Sequence, residues 1–123
     1  MAENKQQYIV QRQKGGAVMI SEDVIATIAA QAIYDVDGVV GLNTKPGSDV
    51  VEVVGKRNRN KAIKVIIDQN NNVNIVCNIT ILYGTSVVTA AKAAQEAVKN
   101  AVEAMTGIEL KTINVNVCAI IRN

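Results

Sequence analysis

The sequence contains no histidine, phenylalanine or tryptophan, and three tyrosines are its only aromatic residues. Without histidine, neither a Ser-His-Asp nor a Cys-His arrangement can form, and no imidazole is present to bind a metal ion. With so few aromatic rings, the chain lacks the platforms on which single-stranded nucleic acids stack. We therefore expect no catalytic residue, no metal site and no cofactor, and we interpret the chain as a non-enzymatic protein.

Cysteine and proline are also scarce, with two and one residues respectively. Cys77 and Cys118 each lie in an alternating apolar run and form no CxxC pair, which is typical of free, buried thiols rather than of a zinc site. No run of about 18 uncharged apolar residues is present, so we expect no direct insertion into a membrane. These features together predict a reduced, cytoplasmic protein.

Valine and isoleucine are abundant instead, at 34 of the 123 residues, against 3 leucines. β-Branched residues alternate with other side chains over residues 63–68, 73–82 and 113–121, which predicts three strands, the first two joined by an Asn-rich turn. Apolar residues at helical spacing predict one helix after Ser21 and a second, alanine-rich helix that ends at Gly107. Both helices need an apolar sheet face to cover.

The order of these elements is β-α-(β)-β-β-α-β, and the bracketed strand is open because the valines of residues 50–54 fit either a short strand or one helical turn. We predict an α+β fold, a two-layer sandwich with two helices packed on one face of a mixed, mainly antiparallel sheet. Residues 1–14 are polar and are expected to form a flexible N-terminal arm. Residues 15–123 are expected to form a single domain.

The net charge of +2 is unevenly distributed along the chain. The segment 56–64, which we call the basic loop, contains no acidic residue and has a net charge of +5. The remaining chain therefore has a net charge of −3. Such a segment can bind phosphate-bearing partners or simply keep a surface solvated. A nucleic-acid-binding module is therefore our alternative hypothesis, and its candidate residues are Lys56, Arg57, Arg59, Lys61 and Lys64.

Asparagine dominates one side of the predicted sheet, the side away from the helices. An uncovered sheet face is normally polar, yet Asn can also donate and accept hydrogen bonds across an interface without the desolvation cost of a charge. Apolar residues at Ile66, Leu82 and Ile120 are expected on the same side and favour an interface. The candidate self-association face consists of Asn74, Val76, Asn78, Thr80, Asn114 and Asn116.

Several short motifs occur in an order that resembles one known family, the alkaline shock proteins of Gram-positive bacteria. The similarity runs over roughly residues 15–121. The motifs are Gly15-Gly16-Ala17-Val18-Met19-Ile20-Ser21, Val36-Asp37-Gly38-Val39-Val40-Gly41-Leu42, Gly55-Lys56-Arg57-Asn58, Tyr83-Gly84, Gln95-Glu96-Ala97-Val98-Lys99, Val102-Glu103-Ala104-Met105-Thr106-Gly107-Ile108 and Ile113-Asn114-Val115-Asn116-Val117. The chain departs from the family at Ala62, where a glycine is usual, and at Thr85-Ser86, where Ile-Pro is usual.

This resemblance implies a non-enzymatic cytoplasmic scaffold or interaction protein of the envelope stress response. It implies a homo-oligomer, and a partner that is either a membrane-anchoring protein, which would hold it close to the membrane, or an enzyme of fatty-acid metabolism. A regulatory role in fatty-acid metabolism is thus a further alternative. The family has no established catalytic residue, so none is carried over to this chain.

Overall fold

The computed structural model describes residues 8–43 and 62–122. In chain order the elements are β1 (Tyr8–Gln13), β2 (Gly16–Ser21), α1 (Glu22–Tyr34), β3 (Val39–Leu42), β4 (Ile63–Ile67), β5 (Val73–Leu82), α2 (Val87–Thr106) and β6 (Leu110–Ile121). Strand β3 occupies the segment after α1, and the alternatives for residues 50–54 lie outside the described residues.

A four-stranded sheet is organised around β5, the strand that pairs with each of the other three. Along one edge, β5 pairs in parallel with β6 over its whole length. Along the other edge, β4 pairs antiparallel with the first half of β5, and β3 pairs antiparallel with the second half. Helices α1 and α2 pack against each other and against this sheet, which confirms the predicted α+β class with its mixed, mainly antiparallel sheet.

The core lies between the helices and one face of the sheet. On β5, the side chains of Ile75, Cys77 and Ile79 are fully buried there, in alternation with half-buried neighbours. The buried residues of α2 follow every four positions and are Ala90, Ala94, Val98 and Val102. Because alanine favours helix and projects little, this helix can lie close to the β-branched surface without any large aromatic ring to fill the space.

The ends of α2 are fixed by the residues that the sequence predicts for them. The Ser86 hydroxyl accepts a hydrogen bond from the main-chain N–H of Thr89 at 3.4 Å, which caps the first turn. Gly107 adopts φ 74°, the left-handed conformation in which glycine is favoured, and its N–H donates to the carbonyl of Glu103. Ser21 caps α1 in the same way, through the N–H of Val24.

The expected N-terminal arm requires a correction, because residues 8–13 form strand β1. This strand pairs antiparallel with β2 in a separate two-stranded sheet. Ile9 is buried in the core, and Gln11 Nε2 donates to the carbonyl of Thr106 at 3.0 Å. An isolated hairpin is only marginally stable in water, and these two anchors to the domain stabilise it. Residues 8–13 are therefore a strand anchored to the domain and not part of a flexible arm.

A register shift in β6 changes which side its last residues occupy. Val117 is paired with Ile79 and Ala119 with Thr80, so Cys118 is one extra residue on β6. Such a bulge inverts the alternation beyond it. Ile120 is consequently in register with Ile81, on the helix-covered side, and the expectation that it joins the Asn-rich face is wrong.

Candidate functional site

The sheet face opposite the helices, which we call the open face, carries the predicted self-association residues. Asn74, Val76 and Asn78 alternate with buried residues on β5 and are half-buried. Asn114 and Asn116 on β6 are exposed and are in register with Val76 and Asn78. The structure thus brings these five residues together on neighbouring strands.

Hydrogen bonds between side chains run across β5 and β6 on this face. Asn116 Nδ2 donates to Asn78 Oδ1 at 3.0 Å, and Thr112 Oγ1 donates to Asn74 Oδ1 at 2.6 Å. Cross-strand pairs of this kind fix the side-chain conformations. Since each amide has two N–H donors and an oxygen with two lone pairs, both asparagines of a pair keep hydrogen-bonding capacity for a further molecule.

Apolar side chains lie in the middle of the open face, between its polar rows. Val76 is flanked by Lys64 on β4 and by Asn114 on β6. Val76, Ile66 and Leu82 are all half-buried, so part of each side chain remains accessible. They lie beside the asparagines of this face, which we call the asparagine ladder: Asn74, Asn78, Asn114 and Asn116. A half-buried apolar centre with a polar surround is the usual composition of a protein–protein contact.

Thr80 occupies the same side of β5 but is completely buried. Its hydroxyl accepts a hydrogen bond from Asn43 Nδ2 at 3.1 Å, and the Asn43 main-chain N–H donates to the carbonyl of Asn78 at 2.8 Å. Thr80 therefore contributes to internal structure and not to the accessible surface. Sequence reasoning missed Asn43, because a single Asn after an apolar strand carries no periodic signal.

The basic loop can be placed only in part. Lys64 is exposed on β4, opposite Val76, and adds one positive charge to the margin of the open face. Lys56, Arg57, Arg59 and Lys61 lie outside the described residues.

The two cysteines are free thiols in different surroundings. Cys77 lies in the core, and burial raises the pKa of its thiol to about 12. Cys118 is half-buried at the β6 bulge, and burial raises its pKa as well. Since the thiolate is the nucleophile, neither environment activates its cysteine. Within residues 8–43 and 62–122, no group of three His, Cys, Asp or Glu side chains is placed to hold a metal ion.

A two-layer α+β domain with one helix-covered and one open sheet face is the class that this structure defines. The chain belongs to the Asp23 family, described as having a cell envelope-related function, whose match extends over residues 10–122. The match confirms the resemblance to the alkaline shock proteins that the sequence motifs indicate.

Three bacterial relatives support the assignment. The uncharacterised protein YqhY of Bacillus subtilis (strain 168) is 32% identical over 106 residues, 85% of this chain and 77% of YqhY. The uncharacterised protein YloU of the same strain is 30% identical over 108 residues, 86% of this chain and 89% of YloU. Spy1614 of Streptococcus pyogenes, also uncharacterised, is 27% identical over 106 residues, 85% of this chain and 87% of Spy1614. No solved structure matches the chain significantly.

Neither helix among the described residues combines the length and the hydropathy that crossing a lipid bilayer requires.

Proposed function

We propose that this protein is a non-enzymatic cytoplasmic scaffold of the envelope stress response, which self-associates through its open face and is held near the membrane by a protein partner. The family's cell envelope-related description supports the setting. The absence of histidine from the whole chain supports a binding role over catalysis.

The observation that carries the proposal is the asymmetry of the sheet. Both helices cover one face, while the other presents an asparagine ladder around half-buried apolar residues to solvent. Val76, at the centre of this face, remains half-buried. A second molecule on this face would bury that apolar centre and would use the remaining amide groups of the ladder.

Sedimentation velocity over a range of concentrations tests the self-association. We expect the wild-type sedimentation coefficient to increase with concentration, and we expect Val76→Lys to associate less than wild type at every concentration, because it places a charge at the centre of the open face beside Lys64. Met105→Lys is the matched control, since Met105 is 72% exposed on α2, away from the open face. A strictly monomeric wild-type protein, or equal loss of association in both variants, would contradict the proposal.

Membrane binding tests the tether separately. The purified protein is mixed with native membranes, with membranes whose exposed proteins have been digested by protease, and with lipid vesicles of the same composition. We expect co-sedimentation with native membranes only. Equal binding to pure lipid vesicles would exclude a protein tether, and absence of binding to native membranes would refute the membrane-proximal placement.

A further inference from the structure

The outer edge of β6 is an unpaired strand edge within residues 8–43 and 62–122, because β6 pairs only with β5. The main-chain carbonyl of Asn78 accepts a hydrogen bond from Asn43, the residue that follows β3, so Asn78 directs its main-chain groups toward β3. The odd-numbered neighbours of Asn78 therefore direct theirs toward β6. On β6 itself, the carbonyl of Ile113 accepts from Gln95 Nε2 of α2 at 2.9 Å. The main-chain groups of Ile113 therefore point to the outer edge. Because main-chain directions alternate along a strand, the N–H and C=O groups of Val115 and Val117 point there as well.

This edge lacks the features that normally prevent strand pairing. From Thr112 to Val117 there is no charged residue, no proline and no glycine, and the two register shifts of β6 lie outside this segment, at Lys111 and at Cys118. The apolar side chains of this segment are also incompletely covered. Ile113, Val115 and Val117 are half-buried, whereas their partners on β5, Ile75, Cys77 and Ile79, are fully buried.

The sequence of the same segment is self-complementary. Ile113-Asn114-Val115-Asn116-Val117 reads alike in both directions around Val115, apart from the exchange of isoleucine for valine at its ends. In an antiparallel pair centred on Val115, Asn114 of each copy would lie opposite Asn116 of the other. A contact in which residue i meets j, and j meets i, is the property of a two-fold symmetric interface.

We infer that two copies of this chain pair antiparallel through the outer edges of β6, about a two-fold axis at Val115. The inference rests on the self-association proposed above and adds a second contact, at the strand edge, to the contact through the open face. Val115 pairs with its own copy and Ile113 with Val117, which gives about six main-chain hydrogen bonds in three hydrogen-bonded pairs. Two of the six use the second lone pair of the Ile113 carbonyl, which already accepts from Gln95. The two sheets become continuous, and the two open faces become one surface with an uninterrupted asparagine ladder.

The helix layer is consistent with this arrangement. Gln95 marks the side of α2 that faces the β6 edge, and Val88, seven residues earlier, lies on the same side. Val88 is 62% exposed. Pairing of the two edges brings this apolar side chain close to the second copy, where its remaining surface can be covered.

Disulfide trapping tests the register directly, in a Cys118→Ser background that removes the half-exposed native thiol. In the proposed pair, residues 114 and 116 of different copies are directly opposite and not hydrogen-bonded, with Cα atoms about 4.5 Å apart. Residue 114 is about 7–8 Å from residue 114 of the other copy, beyond the usual reach of a disulfide. Mild oxidation of an equimolar mixture of Asn114→Cys and Asn116→Cys, one of them enlarged by a tag, should therefore trap a mixed dimer at least about tenfold faster than either variant alone.

The control is Asn74→Cys in the same background, which lies on the open face one strand away from the edge. Trapping by Asn74→Cys without trapping by the 114/116 mixture would overturn the edge-paired dimer and would leave open-face association standing. Absence of trapping in all variants, with a monomeric wild-type protein, would overturn both proposals.

Val115→Pro provides a second test that leaves the open face unchanged. The Val115 N–H, which proline lacks, points to the outer edge and not to β5. The hydrogen bonds between β5 and β6 are therefore kept, as expected for proline on an edge strand. We expect an unchanged circular dichroism spectrum and loss of the trapped dimer in that background. Unaltered trapping would refute pairing through the main chain of β6.

Discussion

Gly38, in the turn between α1 and β3, is the position where a single methyl group should be most informative. Its φ of +86° lies in the left-handed region, which costs a residue with a side chain about 1–2 kcal/mol. A Cβ atom there would also come within 2.5 Å of Thr85 Cγ2, a contact that real structures do not tolerate. Adding an overpacking cost of about 1–3 kcal/mol, we expect Gly38→Ala to lower the free energy of unfolding by about 2–5 kcal/mol.

Two variants separate the strain from the clash. Gly84→Ala has a similar φ of +97° but no atom within 4 Å of the added Cβ, so it should cost only the conformational part, about 1–2 kcal/mol. Thr85→Ser removes the clashing Cγ2 and should recover part of the loss when it is combined with Gly38→Ala. Urea denaturation of the single and double variants gives the coupling energy as a double-mutant cycle. Equal costs for both glycine substitutions, or zero coupling between positions 38 and 85, would refute the steric argument.

The remaining predictions concern single polar groups. Thr80→Val removes the acceptor of the buried Asn43 side-chain bond and should cost about 1–3 kcal/mol in chemical denaturation. In the turn between β4 and β5, the main-chain N–H of Asn72, followed by its side chain and the N–H of Asn70, holds the pKa of Asp68 below 3.8. Because this pKa is depressed on folding, its stabilisation is present above about pH 4 and is lost as the pH falls further, so the stability difference between wild type and Asp68→Ala should shrink there. For the cysteines, thiol alkylation near pH 8 should modify Cys118 in the folded protein and Cys77 only after unfolding, since the pKa of Cys77 is raised to about 12. Comparable modification rates for both thiols would contradict the burial of Cys77.

Local sequence patterns were sufficient to predict those helices and strands whose structure depends on residues close together in the chain. The alternation from residue 63 to 82 predicted the β4–β5 hairpin, and the helical spacing of apolar residues placed Ala94, Val98 and Val102 on the buried side of α2. The same spacing also placed Val88 and Met105 on that side, and both are exposed. Ser86 and Gly107 predicted the ends of α2. In each case the pattern and its structural cause lie within a few residues of one another.

Features that depend on distant partners could not be read in the same way. The strand formed by residues 8–13 depends on the burial of Ile9 and on the bond from Gln11 to Thr106, 95 residues away in sequence. The placement of β3 and β4 end to end along one edge of β5 is likewise a property of the assembled sheet.

The candidate site was only partly accessible to sequence reasoning for the same reason. Alternation placed Asn74, Asn78, Asn114 and Asn116 on one side, and the structure brings them together. Thr80 follows the same alternation, but it is buried and bonded to Asn43. The two residues are 37 positions apart in sequence, so no periodic pattern could predict their contact. The free edge of β6 also follows from pairing and not from composition.

The extra residue at Cys118 reverses the alternation of side chains in the last part of strand β6. From Thr112 to Val117, odd-numbered side chains lie on the helix side, whereas beyond the bulge Ile120 takes that side and Ile121 is in register with Leu82 on the other. Deleting Cys118 would extend the alternation of Thr112–Val117 to the end of the strand and would exchange the sides of these two isoleucines. When homologous sequences are aligned, a one-residue gap at this position should therefore be accompanied by an inverted pattern of apolar residues after it.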